Sequence, residues 1–121
     1  MKHKTIKIGT GNVNKVLIGR KNPLVFIGGP CAIESKDHTF FMAKKIDQIC
    51  SSLKMPWIFK SCYDKDCRSS LSSFHGVGID EGLKILEEVR KEFGIPVVSD
   101  FSEVSDANYT GKVCDLVQVP A

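Results

Sequence analysis

Four short apolar runs, each delivering a residue capable of chemistry at its end, constrain this chain more than any other feature. Leu24-Val25-Phe26-Ile27 enters a Gly28-Gly29-Pro30 turn that presents Cys31, and Trp57-Ile58-Phe59 presents Lys60 and then Cys62. Val97-Val98-Ser99 presents Asp100, and Leu116-Val117 presents Gln118. Helical patterns separate these runs. Ser35 is placed to cap a helix with Met42, Ile46, Ile49, Cys50 and Leu53 on one face, ending before Pro56. A second helix places Ile79, Leu83, Leu86, Val89 and Phe93 at helical spacing, is supported by Glu87 and Lys91, and stops at Gly94 ahead of Pro96. A short helix over Glu103 to Tyr109 then leads to a strand over Val113 to Val119. Such β/α alternation predicts a parallel sheet with right-handed crossovers, whose functional groups collect at the C-terminal ends of the strands.

Ahead of these units, Ile6 and Ile8 alternate with polar neighbours, Gly9-Thr10-Gly11-Asn12 intervenes, and Val16-Leu17-Ile18 follows, a pattern that predicts a small β-hairpin. Gly9-x-Gly11 has no third glycine at phosphate-loop spacing and no helix after it. A closed (β/α)₈ barrel takes about 250 residues. The expected fold class is therefore α/β: the N-terminal half of a (β/α)₈ barrel, with residues 1–22 as the hairpin extension and 23–121 as the first four barrel strands. A complete four-stranded open sheet is the alternative. The stop just after a strand reads as truncation.

The 121 residues are 42% hydrophobic, enough for one small core. No apolar run approaches the ~20 residues that span a bilayer, and the lysine-rich start lacks the apolar centre of a secretion signal, so the expectation is a cytoplasmic protein without a membrane partner. Five cysteines, Cys31, Cys50, Cys62, Cys67 and Cys114, make an odd count that argues against a disulfide framework. Cys50 and Cys114 read as small core residues. The net charge of +3 is small and the lysines are interleaved with acidic residues, so no nucleic-acid stripe appears.

The densest constellation is Phe59-Lys60-Ser61-Cys62-Tyr63-Asp64-Lys65-Asp66-Cys67-Arg68-Ser69-Ser70. Lys60, Lys65 and Arg68, with two serine hydroxyls, suit an anionic substrate, lysine as a point charge and arginine as a planar fork for phosphate. Cys62-x₅-Arg68-Ser69 also has the spacing of a phosphatase thiolate beneath an arginine-held phosphate. This loop, however, has no glycine and carries Asp64 and Asp66, which oppose both thiolate and phosphate. Cys62, Cys67 and His75 fall one ligand short of a structural zinc site. Cys31, at the exit of a rigid turn, is placed either to ligate a metal or to pack as a buried cysteine.

Taken together, Gly29-Pro30-Cys31-Ala32-Ile33-Glu34-Ser35, Phe59-Lys60-Ser61-x-x-Asp64-Lys65-x-x-Arg68-Ser69-Ser70, Ser73-Phe74-x-Gly76-x-Gly78 and Gln118-x-Pro120-Ala121 resemble the 3-deoxy-D-manno-octulosonate 8-phosphate synthases, from about Phe26 to the last residue. The related 3-deoxy-heptulosonate 7-phosphate synthases share fold and chemistry, but the Asp64-Lys65-x-x-Arg68-Ser69-Ser70 form favours the octulosonate branch. The resemblance implies a (β/α)₈ transferase that condenses phosphoenolpyruvate with arabinose 5-phosphate and releases phosphate, on the route to the lipopolysaccharide inner core.

By motif position, the resemblance assigns phosphoenolpyruvate binding to Lys60, Cys62, Gln118 and Ala121. It sets Lys65 between the two substrates as a catalytic group and brings Arg68, Ser69 and Cys67 to the sugar phosphate, across a subunit interface in a homotetramer. Cys31 matches the metal-ligand cysteine of the metal-dependent class, implying a divalent ion such as Mn, Fe or Zn, with Asp100 beside it as a second catalytic group. The family's other metal ligands lie on later strands, so the chain alone is expected to be inactive. Cys62 replaces a family serine, Cys67 an asparagine, His75 an arginine and Ser102 a histidine. A non-catalytic half-barrel that binds an anion, or pairs with another half-barrel through its open edges, is the competing expectation.

Overall fold

The computed structural model describes residues 3–65 and 76–120. Strands β1 (Ile6–Ile8) and β2 (Val16–Ile18) form an antiparallel hairpin, with Ile6 opposite Ile18 and Ile8 opposite Val16. Its loop is held by Lys15, whose Nζ donates to the carbonyls of Gly11 at 2.6 Å and Val13 at 3.0 Å.

The remaining units follow the alternation expected from the sequence. Strands β3 (Phe26–Gly28), β4 (Trp57–Lys60), β5 (Val97–Asp100) and β6 (Leu116–Gln118) make one parallel sheet in the order β3-β4-β5-β6. Helix α1 (Lys36–Ser52) connects β3 to β4, α2 (Ile79–Phe93) precedes β5, and a 3₁₀ turn (Val104–Asp106) continues into α3 (Ala107–Val113) before β6. This is a partial (β/α) barrel preceded by a hairpin, and the described strands do not close into a barrel. No helix among the described residues is long and apolar enough to cross a membrane.

The helix ends follow local chemistry. Ser35 Oγ accepts the His38 N–H at 3.1 Å, satisfying one of the otherwise unpaired first-turn donors of α1, a cap typically worth about 1 kcal/mol. Helix α2 ends at Gly94 in the left-handed conformation (φ 61°), where its N–H returns to the Arg90 carbonyl at 3.0 Å. One helix face and one boundary differ from the sequence reading. On α1 the buried residues are Thr39, Ala43 and Cys50, whereas Ile49 is 58% exposed and Leu53 is exposed as well. The apolar spacing had placed these two on the core face, but the helix turns the Thr39–Ala43–Cys50 line inward. Val113 lies in α3 rather than in the last strand, which begins only at Leu116.

Strand alternation divides the core into two layers. Trp57, Phe59 and Val97 face the helices and pack with Ile33, Ala43, Leu83, Leu86 and Val89. Ile58 and Val98 face the other way and are covered by Ile8 and Val16 of the hairpin, with Ile18, Val25 and Leu116 at the margin. The hairpin therefore covers the N-terminal portion of the inner face. The C-terminal portion of the same face is left to polar residues.

A long-range clasp fixes the hairpin in place. Asp115 accepts two hydrogen bonds from Arg90, Nε at 2.9 Å and Nη2 at 3.0 Å, and also the backbone N–H groups of Val97 and Thr10, each at 3.1 Å. Arg90 donates in addition to the Thr10 carbonyl and hydroxyl. The Asn14 N–H bonds the Gly94 carbonyl at 2.8 Å.

Candidate active site

Lys60 is the last residue of β4, Asp100 the last of β5 and Gln118 the last of β6. Lys60 is in register with Val98, Asp100 with Gln118, and Val98 with Leu116. Period-two alternation then puts Lys60, Asp100 and Gln118 on the inner face, on the same side of the sheet as Ile58 and Val98 but at its opposite end. Three of the four predicted exit residues thus share one mouth.

The β3 exit joins them through backbone pairing. Cys62 donates its N–H to the Cys31 carbonyl at 3.2 Å, Ile33 donates to the Cys62 carbonyl at 2.9 Å, and Ala32 and Cys62 form a parallel bridge. The Ser61 hydroxyl donates to the Pro30 carbonyl at 2.7 Å. The approach is close enough to require glycine at position 29, where a Cβ would stand 2.0 Å from the Lys60 carbonyl oxygen. The Gly-Pro turn seen in the sequence therefore lets β3 and β4 leave the sheet side by side.

Lys65 lies across this mouth. Its Nζ is 3.4 Å from Asp100 Oδ2 and 3.5 Å from Oδ1. Burial disfavours the Lys65 ammonium, but the facing Cys62 sulfur and Asp100 carboxylate, with Cys31 nearby, outweigh it and hold the lysine pKa above its ordinary value. Burial likewise pushes Asp100 up, but the hydrogen bond from Cys62 and the Lys65 ammonium bring it below the ordinary carboxylate range. Both groups are charged at neutral pH.

The two thiols differ sharply. Cys31 is exposed at the mouth. Cys62 is buried, its Sγ donating to the Asp64 carbonyl at 2.8 Å and lying 3.8 Å from the Asp100 carbonyl. Burial pushes its pKa up to about 11. A thiol so held is no phosphatase nucleophile. Cys50 and Cys114 are buried, as expected for core residues, with Cys114 pushed up to about 12 by burial.

Cys67, Arg68, Ser69, His75 and Ala121 lie outside the described residues. Ser102, where the resemblance has a histidine, contributes its backbone N–H to the Tyr63 hydroxyl. Tyr63 was missed by sequence reasoning, as was the Arg90–Asp115 pair, because neither leaves a spacing signal. Among the described residues no group of three or more His, Cys, Asp or Glu is arranged to hold a metal ion. Cys31 alone does not make a metal site.

The sequence matches a known family along nearly the whole chain: the DAHP synthetase I family model covers residues 5–121. The chain belongs to the DAHP synthetase I family. Within reach of this DAHP synthetase I family member are curated relatives named 2-dehydro-3-deoxyphosphooctonate aldolase. The protein from Rickettsia rickettsii (strain Sheila Smith) is 45% identical over 109 residues, that from Rickettsia felis 43%, and that from Rickettsia canadensis 40%. Each alignment covers 90% of this chain and 40% of the relative. The chain thus spans about two fifths of the length of the curated relatives it matches.

Proposed function

We propose that this chain supplies the phosphoenolpyruvate-binding wall of a 3-deoxy-D-manno-octulosonate 8-phosphate synthase, a transferase condensing phosphoenolpyruvate with arabinose 5-phosphate. The observation that carries the reading is the convergence of Lys60, Lys65, Asp100 and Gln118 at one end of one sheet face. The octulosonate reading, rather than the heptulosonate one, draws on the names of the relatives and on Asp64-Lys65-x-x-Arg68-Ser69-Ser70.

In the reaction, carbon 3 of phosphoenolpyruvate bonds to the sugar aldehyde carbon, water adds at carbon 2, and the carbon 2 bond to the phosphate ester oxygen breaks to release phosphate. Lys60 and Gln118 hold phosphoenolpyruvate by charge and hydrogen bonding. Lys65, already paired with Asp100, offers fixed positive charge where the two anionic reactants meet, which stabilises developing negative charge without reorganisation. Cys62 supports the wall through its carbonyl contacts, while Cys67, Arg68 and Ser69 take the sugar phosphate and Ala121 completes the phosphoenolpyruvate subsite. Cys31 would give one thiolate to a divalent ion whose other donors lie outside the described residues. A homotetramer in the cytoplasm belongs to the same reading.

Calorimetric titration of the chain with phosphoenolpyruvate tests the binding wall. We expect a single site weakened roughly tenfold by Lys60→Met, the loss of one charge-assisted contact worth about 1.4 kcal/mol. Absence of binding would contradict the proposal. A steady-state assay with both substrates and Mn²⁺ tests whether the chain is one wall of the site or the whole of it. Turnover at ordinary enzyme rates by the chain alone would contradict the assignment of a single wall.

A further inference from the structure

Tyr63 stands two residues before Lys65, and Ser102 two residues after Asp100. One phenol oxygen joins these two exits. The Tyr63 hydroxyl accepts the Ser102 N–H at 3.3 Å and donates to Asp106 Oδ2 at 3.4 Å. The tyrosine itself is 1% exposed and belongs to the helix-side core.

The backbone behind it is fixed as well. The Tyr63 carbonyl accepts the Gly78 N–H at 3.0 Å. Chain segments on two sides come too close for any side chain: a Cβ at Gly76 would stand 2.1 Å from the Tyr63 carbonyl oxygen, and one at Gly82 would stand 2.3 Å from the Tyr63 Cβ. The ring cannot shift without moving the start of α2. Its one polar side-chain atom is committed to the neighbouring exit.

We propose that the Tyr63 hydroxyl is a positioning residue for the Lys65–Asp100 pair, setting the spacing between the two strand exits that carry it. Its relevance to catalysis rests on reading that pair as part of the substrate site. The pair is geometrically sensitive. Its contacts of 3.4 and 3.5 Å are already longer than the usual charge-assisted range of about 2.7–2.9 Å, so a small parting of the exits would break it. Phenylalanine at position 63 fills the same volume and leaves the Ser102 N–H and Asp106 without the bridge.

The test reads the pair directly on the full chain without substrate. Asp100 faces Lys65 and Cys62, Lys65 also faces Cys31, and Asp106 lies on the far side of Tyr63. Carbon-13 NMR of the Asp100 carboxyl gives its titration midpoint, and Lys65→Met gives the upward displacement produced by complete loss of the pair. Tyr63→Phe is expected to keep a cooperative melt while raising the Asp100 midpoint by at least half that displacement. A wild-type midpoint in Tyr63→Phe would overturn the proposal, as would an unmoved midpoint in Lys65→Met. Ser102→Pro, which removes the N–H that the phenol oxygen accepts but leaves the ring, covers the case in which Tyr63→Phe does not fold. Loss of that bond is expected to raise the Asp100 midpoint in the same direction, and a wild-type midpoint overturns the proposal. Since phosphoenolpyruvate takes no part in the readout, failure to bind it would sink the functional reading and leave this one standing.

Discussion

Lys65 Nζ lies 3.4 Å from Asp100 Oδ2, although the two residues are 35 positions apart and leave the sheet from different strands. The pair links local electrostatics to pH. Asp100 is lowered in the fold, so its contribution to stability is complete above the unfolded carboxylate pKa of about 3.9 and is lost as pH falls through the lower folded value. Lys65 is raised, so its contribution is complete below the unfolded lysine pKa of about 10.4 and is lost as pH rises through the higher folded value. Thermal melts of wild type and Asp100→Asn should therefore differ most between about pH 5 and 10 and converge toward strong acid. A gap that widens in acid would contradict this.

The Asp115 carboxylate is 1% exposed and joins α2, β5, β6 and the hairpin loop. Asp115→Ala leaves the Val97 N–H without its acceptor and the Arg90 guanidinium with its Thr10 contacts but no facing carboxylate. Breaking a buried, hydrogen-bonded pair in this way costs about 3–5 kcal/mol, and the midpoint of denaturant unfolding should fall accordingly. Amide exchange in β1 and β2 should accelerate more than in β4, because the clasp is what ties Thr10 to the sheet.

Cysteine reactivity should follow burial. Among the described cysteines, Cys31 is expected to react with a maleimide at neutral pH, while Cys50, Cys62 and Cys114 react only on unfolding. Peptide mapping after timed labelling measures this. Equal rates at Cys31 and Cys62 would show that the Cys62 contacts with the Asp64 and Asp100 carbonyls do not persist in solution.

Among the described strands β3 lies at one end of the sheet order, and Leu24 (79% exposed), Phe26 and Ile27 present apolar surface beside it. An exposed apolar sheet edge is a template for association. Light scattering across a concentration series should show mass increasing with concentration, and Leu24→Lys with Phe26→Lys should reduce it. A mass independent of concentration in the unmodified chain would contradict the prediction.

Much of this architecture was legible in the sequence because its signals are local. Ser35 ahead of an amphipathic run, Gly94 ahead of Pro96, and short apolar strands ending in Lys60, Asp100 and Gln118 each announce an element. The mouth followed from β/α alternation, since neighbouring parallel strands deliver their exits to the same edge. The inner line of α1 was less readable: Ile49 and Leu53 have the right polarity, but Thr39 and Ala43 are the residues turned toward the core. Tyr63 reads only as one more aromatic, for its role lies in contacts with Ser102 and Asp106 some forty positions away. Cys62 was visible as a residue of the exit, but the direction of its thiol toward two backbone carbonyls was not.

In the proposed function, four strand exits form one phosphoenolpyruvate-binding mouth. Nitrogen-15 chemical-shift mapping of the chain titrated with phosphoenolpyruvate tests it most directly. We predict saturable shifts centred on Cys31, Lys60, Lys65, Asp100 and Gln118, with the hairpin residues Ile6 to Ile18 unmoved. Shifts confined to the hairpin, or scattered over both faces of the sheet, would contradict it.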